Sequence, residues 1–288
     1  MRLLLTGAKG QLGHSLAQNL PAEWDTFFAD KIRLDITRDQ EIRSVIKDFK
    51  PNIIINAAAY TSVDKAEIEK DLAYAVNAHG ARLMARGAKA CGAKFFHLST
   101  DYVFDGESTV PYSEEDNCNP FSIYGDSKRQ GEIAVLSENA DSIILRTSWV
   151  YSEYGQNFLK TMRSLILDNR DINVVGDQIG CPTSANDIAN IIYHLANLDK
   201  LNGGIYHYAG DTTLSWYDFS KIIAEKLNKS DAQIKKVTSE EFKSLAKRPK
   251  YSVMDCSKIV SLGLSLSNFN EQLHEVLLNL ELTEQIIC

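Results

Sequence analysis

Short apolar runs alternate with amphipathic stretches along the first half of the chain. Arg2-Leu3-Leu4-Leu5-Thr6 is an apolar run, and Ser15-Leu16-Ala17-Gln18-Asn19-Leu20 has helical spacing. Asp25-Thr26-Phe27-Phe28-Ala29 reads as a second strand ending at Asp30. A helix is predicted over 41–49, then a β-branched strand in Pro51-Asn52-Ile53-Ile54-Ile55-Asn56-Ala57-Ala58-Ala59. A longer helix follows over 73–90, then the strand at Lys94-Phe95-Phe96, a helix over 127–137 and a strand over 142–146. Continuous apolar strands separated by helices predict βαβ units and a parallel sheet buried on both faces. After Trp149 the pattern loosens. Helices are expected over 158–167, 186–198, 216–227 and 268–280, and a strand over 204–208. The expected class is α/β, a Rossmann-type doubly wound parallel sheet with a smaller carboxyl-terminal region. No internal repeat or low-complexity stretch is visible.

Between the first strand and helix stands Gly7-Ala8-Lys9-Gly10-Gln11-Leu12-Gly13. Strand, glycine turn and helix are the context of a dinucleotide fingerprint. The glycines let backbone approach a pyrophosphate, and the helix N-terminus supplies partial positive charge. On this footing residues 1–150 are expected to bind a nucleotide. Residues 151–288 are expected to bind substrate and to return elements to the sheet, with a soft boundary between the two. Asp30 at the end of strand two can accept from a ribose 2′-hydroxyl and repel a 2′-phosphate, which favours NADH. Lys31 and Arg33 beside it could instead hold the phosphate of NADPH, so both cofactors stay open.

Three further groups fall at predicted strand ends. The small residues Ala57, Ala58 and Ala59 leave room for a flat ring, although tight strand–helix packing fits them equally. Ser99, Thr100 and Asp101 bring two hydroxyls and a carboxylate to the sheet edge, where they could bind a substrate oxygen or cap the next turn. Tyr124 and Lys128 share one helix face four residues apart. A neighbouring ammonium is expected to lower the phenol from its ordinary pKa of about 10. Such a pair suits proton transfer at a carbonyl or alcohol oxygen.

Composition narrows the classes. At 288 residues, with 44% hydrophobic and 24% charged positions, the chain has the make-up of a globular protein with a sizeable core. A net charge of −7 argues against general nucleic-acid binding. No apolar run is long enough to span a bilayer, and Arg2-Leu3-Leu4-Leu5 is too short for a signal-peptide core. Five cysteines (Cys91, Cys118, Cys181, Cys256 and Cys288) lack metal-type spacing and suit reduced thiols in a cytoplasm.

The glycine turn and the Tyr124–Lys128 pair resemble the extended short-chain dehydrogenases/reductases. Two further blocks narrow the likeness to the dTDP-4-dehydrorhamnose reductase family: Ser99-Thr100-Asp101-Tyr102-Val103-Phe104 and Arg146-Thr147-Ser148-Trp149-Val150-Tyr151. The stretches 56–67, 177–183 and Arg248-Pro249-Lys250-Tyr251-Ser252 extend it over most of the chain. The resemblance implies reduction of a 4-keto sugar nucleotide by NADPH or NADH, in the making of a cell-surface polysaccharide precursor. It implies that Tyr124, Lys128 and Thr100 are catalytic. Cofactor contacts are implied at Gly7, Gly10, Gln11, Leu12, Gly13, Asp30, Asp35, Ile36, Ala58, Ala59, Tyr60, Thr61 and Ser99, with Tyr124 and Lys128 against the nicotinamide ribose. Asp35 also reads as the N-cap of the following helix. Substrate contacts are implied at Thr100, Asp101, Trp149 and Arg248, the last on a diphosphate. No metal ligands are assigned; Mg²⁺, known in some relatives, has no acidic cluster here, and a homodimer stays open. Two alternatives remain: another sugar-nucleotide 4-reductase or epimerase, and a non-catalytic dinucleotide-binding regulatory subunit.

Overall fold

The computed structural model describes residues 1–287; Cys288 lies outside the described residues. Five strands follow the predicted pattern closely: β1 (Arg2–Thr6), β2 (Asp25–Ala29), β3 (Ile53–Asn56), β4 (Lys94–Thr100) and β5 (Ile143–Thr147). With the strand Gly204–His207 they form one six-stranded sheet. Every pairing in it is parallel, and Gly204–His207 lies at the edge against β5. From that edge the order runs through β5, β4, β3 and β1 to β2. Strand order therefore reverses between β1 and β3, which opens a crevice at their carboxyl ends.

The period-2 alternation of side chains explains why the strands are apolar throughout. Leu3, Leu5, Ile53, Ile55, Phe96 and Leu98 enter one core with Leu16, Ile188 and Ile192. Leu4, Ile54, Phe95 and Ile144 enter the opposite core with Ile42, Ile46, Leu83 and Met84. Leu4 is fully buried. Truncating it to Ala should cost about 2–5 kcal/mol, because its neighbours cannot collapse into the space. A third core belongs to the carboxyl-terminal part and is built from Leu159, Ile166, Ile172, Phe219, Ile223, Phe269 and Leu273, among others.

Helix α1 spans Gln11–Gln18 and α2 spans Asp39–Phe49. The helix predicted over 73–90 is interrupted. It runs as Lys70–Tyr74, a π-turn at Ala75–Gly80, and Ala81–Cys91. Hydrophobic spacing could not reveal the break, because a polar side chain within it makes the decisive contacts. Asn77 Nδ2 donates to the Tyr60 carbonyl at 3.0 Å and to Ser127 Oγ at 2.9 Å, while its Oδ1 accepts from Tyr60 N at 2.8 Å. The helix carrying Tyr124 and Lys128 spans Ile123–Glu138, starting earlier than expected. Ser122 caps it through Gly125 N at 3.1 Å, and the Glu67 carboxylate accepts from Ile123 N at 2.8 Å. Both side chains therefore stand on regular helix. Beyond Trp149 the chain forms two-residue strand pairs that carry no readable period, such as Val150–Tyr151 with Thr183–Ser184. The described cysteines are all free.

Candidate active site

The carboxyl ends of β1, β3, β4 and β5 surround a cleft of about 750 Å³. Every site residue expected from the sequence lines it except Arg248.

At one end lies the glycine turn. Gly7 has φ +69°, and a Cβ there would sit 2.6 Å from the Ala57 carbonyl carbon; one on Gly13 would sit 2.2 Å from the Gly7 oxygen. The turn is thus closed to side chains and open to a ligand. Helix α1 starts behind it with no side-chain cap and no acidic residue in its first turn. Its first N–H groups have no intrahelical acceptor, so the helix end is suited to an anion. These features fit a dinucleotide pyrophosphate.

At the β2 end Asp30 meets a cation other than the two beside it in sequence. Asp30 Oδ1 accepts from Ile32 N at 3.1 Å and Arg33 N at 3.0 Å, and its other oxygen pairs with Lys9. The Lys9 ammonium holds the Asp30 carboxyl below the usual range. Arg33 lies over the Phe27 ring at 4.3 Å and donates to the Phe28 carbonyl at 2.8 Å. Lys9, on the glycine turn, is therefore the cation facing Asp30, a pairing that sequence distance concealed. Asp35 is not the N-cap of α2, a position held by Arg38. Its Oδ1 accepts instead from Thr37 N and Thr37 Oγ1 at 3.0 and 2.7 Å.

In the middle of the cleft stand Tyr124 and Lys128. Desolvation pushes the Tyr124 phenol up to about 12; a bond with the Thr100 hydroxyl opposes this and the Asp101 charge adds to it. Burial drives Lys128 down to about 8, opposed by the Glu132 carboxylate. The expectation that Lys128 draws Tyr124 downwards is thus corrected. The Lys128 ammonium donates to the Leu98 carbonyl, and desolvation governs both groups. The phenol stays protonated at neutral pH, which is the state a proton donor requires. Thr100 Oγ1 also donates to Asp101 Oδ1 at 3.1 Å and accepts from Tyr102 N at 3.2 Å. Burial pushes Asp101 up to about 6, partly offset by the hydroxyls of Ser252 and Thr100.

Ser99 lines the cleft, but its hydroxyl donates to Glu132 Oε1 at 2.5 Å. Glu132 also takes Arg146 through Nε at 2.8 Å and Nη2 at 2.8 Å, and Arg129 at 2.9 Å. The Arg146 and Glu132 side chains are 1% and 0% exposed, so this is a buried ion pair directly behind the reacting groups. The signal for it was present: Glu132 continues the four-residue spacing of Tyr124 and Lys128 on one helix face.

The far wall is aromatic. Trp149 stacks on Trp216 with ring centroids 3.4 Å apart, and Phe158 lies 4.5 Å from Trp216. Trp149 holds φ +48°, a left-handed backbone uncommon for a bulky residue. A Cβ on Gly180 would come within 2.5 Å of its ring. Tyr102, at the rim, meets the Tyr124 ring edge-on at 5.5 Å. Its hydroxyl is hydrogen-bonded to Arg248. Arg248 pairs with Asp64 at 2.6 Å and stands outside the cleft lining. Sequence reasoning missed Lys9, Tyr102, Asn157 and Trp216, which line the cleft. Lys9 and Tyr102 stand inside the glycine turn and the Ser99–Phe104 block, where the neighbouring residues carried the signal, while Asn157 and Trp216 come from segments without a fingerprint.

An anion-binding end, a protonated phenol at the centre and an aromatic wall beyond can hold two ligands end to end and transfer a proton where they meet. Among the described residues, no group of three or more His, Cys, Asp or Glu is placed to hold a metal ion. Among the same residues, no helix is long and apolar enough to cross a membrane.

Residues 1–282 match the family model described as RmlD substrate binding domain. The chain is 43% identical to the dTDP-4-dehydrorhamnose reductase of Aggregatibacter actinomycetemcomitans, over 96% of this chain and 98% of that one. It is 40% identical to the Sinorhizobium fredii protein of the same name, over 94% and 95% of the two chains. A solved Bacillus anthracis dTDP-4-dehydrorhamnose reductase in complex with NADP has the same fold, with a TM-score of 0.93. The identity there is 40%, over 96% of this chain and 99% of that chain.

Proposed function

The chain belongs to the dTDP-4-dehydrorhamnose reductase family, and we infer that it reduces the 4-keto group of dTDP-4-dehydro-L-rhamnose with NAD(P)H, giving dTDP-L-rhamnose. The observation that carries this reading is the Tyr124 phenol, bonded to Thr100 between an uncapped helix end and a tryptophan wall. When bound, the reduced nicotinamide supplies the hydride. Tyr124 O–H gives its proton to the keto oxygen, and the Thr100 hydroxyl turns its one hydrogen from Asp101 to hold the same oxygen. The alkoxide that develops is far more basic than a phenolate, so a phenol with a pKa of about 12 still transfers its proton downhill. Lys128 keeps positive charge one helical turn away as the phenolate forms. General acid catalysis of this kind contributes about 10²–10⁴-fold.

In this reading residues 1–150 hold the cofactor, and residues 151–288 hold the sugar nucleotide. Ala58, Ala59, Tyr60 and Thr61 border the nicotinamide half, Asp35 and Ile36 the adenine. Trp149 packs on the sugar or base. Arg248 reaches a diphosphate by exchanging Asp64 for it. The Bacillus anthracis relative holds NADP, and here Lys9 offers a cation for the 2′-phosphate beside Asp30. In this reading the protein works in the cytoplasm, where the nicotinamide pool and reduced thiols are found. The test is oxidation of NADPH and NADH with dTDP-4-dehydro-L-rhamnose, against UDP- and GDP-keto sugars. A kcat/KM at least about tenfold higher for the dTDP compound is expected. Turnover of another keto sugar alone moves the reading to a different reductase. Interconversion of sugars without net cofactor oxidation marks an epimerase. Binding without any turnover marks a regulatory subunit.

A further inference from the structure

Gln11 is the first residue of α1, and its backbone faces the phosphate end of the cleft. Its side chain reaches the opposite side. Nε2 donates to the Val150 carbonyl at 3.0 Å, and Oε1 accepts from Asn157 Nδ2 at 2.7 Å. Asn157 in turn organises the loop between them. Its Nδ2 donates to the carbonyls of Ser152 at 2.7 Å and Tyr154 at 3.3 Å. Its Oδ1 caps the helix Phe158–Leu167 through Lys160 N at 3.1 Å. The same loop touches α1 twice more. A Cβ on Gly155 would lie 3.3 Å from Gln11 Cβ, and the Tyr154 ring stacks on His14 at 5.2 Å.

The residue before Val150 is Trp149, with its backbone at φ +48°. A bulky side chain holds that conformation only where its surroundings fix it. The Trp149 carbonyl accepts from Thr183 N at 3.3 Å, and the Gln11 amide holds the next carbonyl along, that of Val150. One side chain thus joins the turn that takes a pyrophosphate to the segment that sets the tryptophan wall.

We propose that Gln11 is a positioning residue that couples the two ligand sites. A dinucleotide on the glycine turn orders the first turn of α1, and Gln11 passes that order to the loop 150–157 and to Trp149. The sugar nucleotide then meets a wall already in place. The proposal rests on the function inferred above, with cofactor on the glycine turn and sugar nucleotide against Trp149. By linkage the effect is reciprocal: the sugar nucleotide must tighten cofactor binding by the same factor.

The experiment is calorimetric titration of dTDP into the protein with and without saturating NADP⁺, and of NADP⁺ with and without dTDP. The wild type should show a coupling factor of about 5–20, equal in both directions, within the usual range for coupled sites. Gln11→Met removes both hydrogen bonds at similar volume and should bring the factor to within about twofold of none. Asn157→Asp keeps the helix-capping oxygen, loses the amide donors, and should lower the factor as well. The double variant should lose no more than either single one, because all three interrupt one connection. Whatever the variants do to each separate affinity, the ratio is the quantity read, and a purely structural role leaves it unchanged. A wild-type factor of one overturns the proposal without needing any variant, as does undiminished coupling in Gln11→Met. Failure of the wild type to bind dTDP at all sinks the functional reading instead.

Discussion

Replacing Glu132 with Gln removes one charge from the least accessible part of the site. The Glu132 side chain is 0% exposed and takes Arg146, Arg129 and Ser99, while Arg146 is 1% exposed and grips both carboxylate oxygens. Gln keeps the shape but has one acceptor oxygen in place of two. One of the two Arg146 contacts must then set N–H against N–H, and the guanidinium stays buried without its counter-charge. Breaking a buried pair in this way costs about 3–5 kcal/mol. Urea unfolding should show that loss as a lower midpoint at unchanged slope. The melting temperature should fall by about 6–20 °C, at about 2–4 °C per kcal/mol for a chain near this size. A functional signature accompanies the loss. Glu132 raises the Lys128 pKa, so without it Lys128 deprotonates at lower pH, and the alkaline limb of kcat/KM should move down. Replacing both partners with apolar residues, Glu132→Leu with Arg146→Met, should recover much of the stability, because the buried guanidinium goes with its carboxylate and only the partly exposed Arg129 loses a partner. A loss below about 1 kcal/mol in Glu132→Gln, or an alkaline limb that stays in place, would refute the reasoning.

Lys128→Met should abolish most turnover while stabilising the fold near pH 7. Burial lowers the Lys128 pKa from 10.5 to about 8, so holding the ammonium costs up to about 3 kcal/mol, at about 1.36 kcal/mol for each tenfold change in the proton equilibrium. That cost is full below pH 8 and vanishes as pH rises past the unfolded value. Denaturation at pH 7 and pH 10.5 should therefore show a gain of about 1–3 kcal/mol that shrinks to nothing, after allowance for the lost bond to Leu98. Lys9→Ala should raise KM for NADPH by about threefold to tenfold more than KM for NADH, because Asp30 then faces the 2′-phosphate without its partner; equal effects on the two place the phosphate elsewhere. Arg248→Ala should raise KM for the sugar nucleotide by about tenfold, worth one charge-assisted bond, with the cofactor KM nearly unmoved. Equal loss for both ligands would instead assign Arg248 to support of the Asp64–Tyr102 rim.

The sheet was legible because its strands are buried on both faces, and runs such as Ile53-Ile54-Ile55 fit few other places. The glycine turn and the Tyr124–Lys128 spacing marked two parts of the cleft, since both rest on local chain geometry. What escaped notice depends on groups distant in sequence. Lys9 meets Asp30, Asn77 bends its own helix to hold Tyr60, and Trp216 closes on Trp149. Asn77 and Trp216 lie in stretches whose own spacing is ordinary, and Lys9 fills a non-glycine position inside the glycine turn. The electrostatics are hidden from the sequence for a related reason: spacing places an ammonium near a phenol, but burial, which only the fold supplies, decides the direction in which both titrate. Arg248 was identified by its motif, yet its first partner is Asp64, from a segment far away in the chain.

The proposed chemistry is protonation of a sugar 4-keto oxygen by Tyr124 as hydride reaches the same carbon. It is tested most directly by running the reaction with NADPH deuterated at the transferring position and reading the product by NMR. Wild-type protein should give dTDP-L-rhamnose carrying deuterium at C4, and Tyr124→Phe should give the same label at a rate lower by about 10²–10⁴-fold. Deuterium elsewhere in the sugar, or a Tyr124→Phe rate close to that of the wild type, would contradict it.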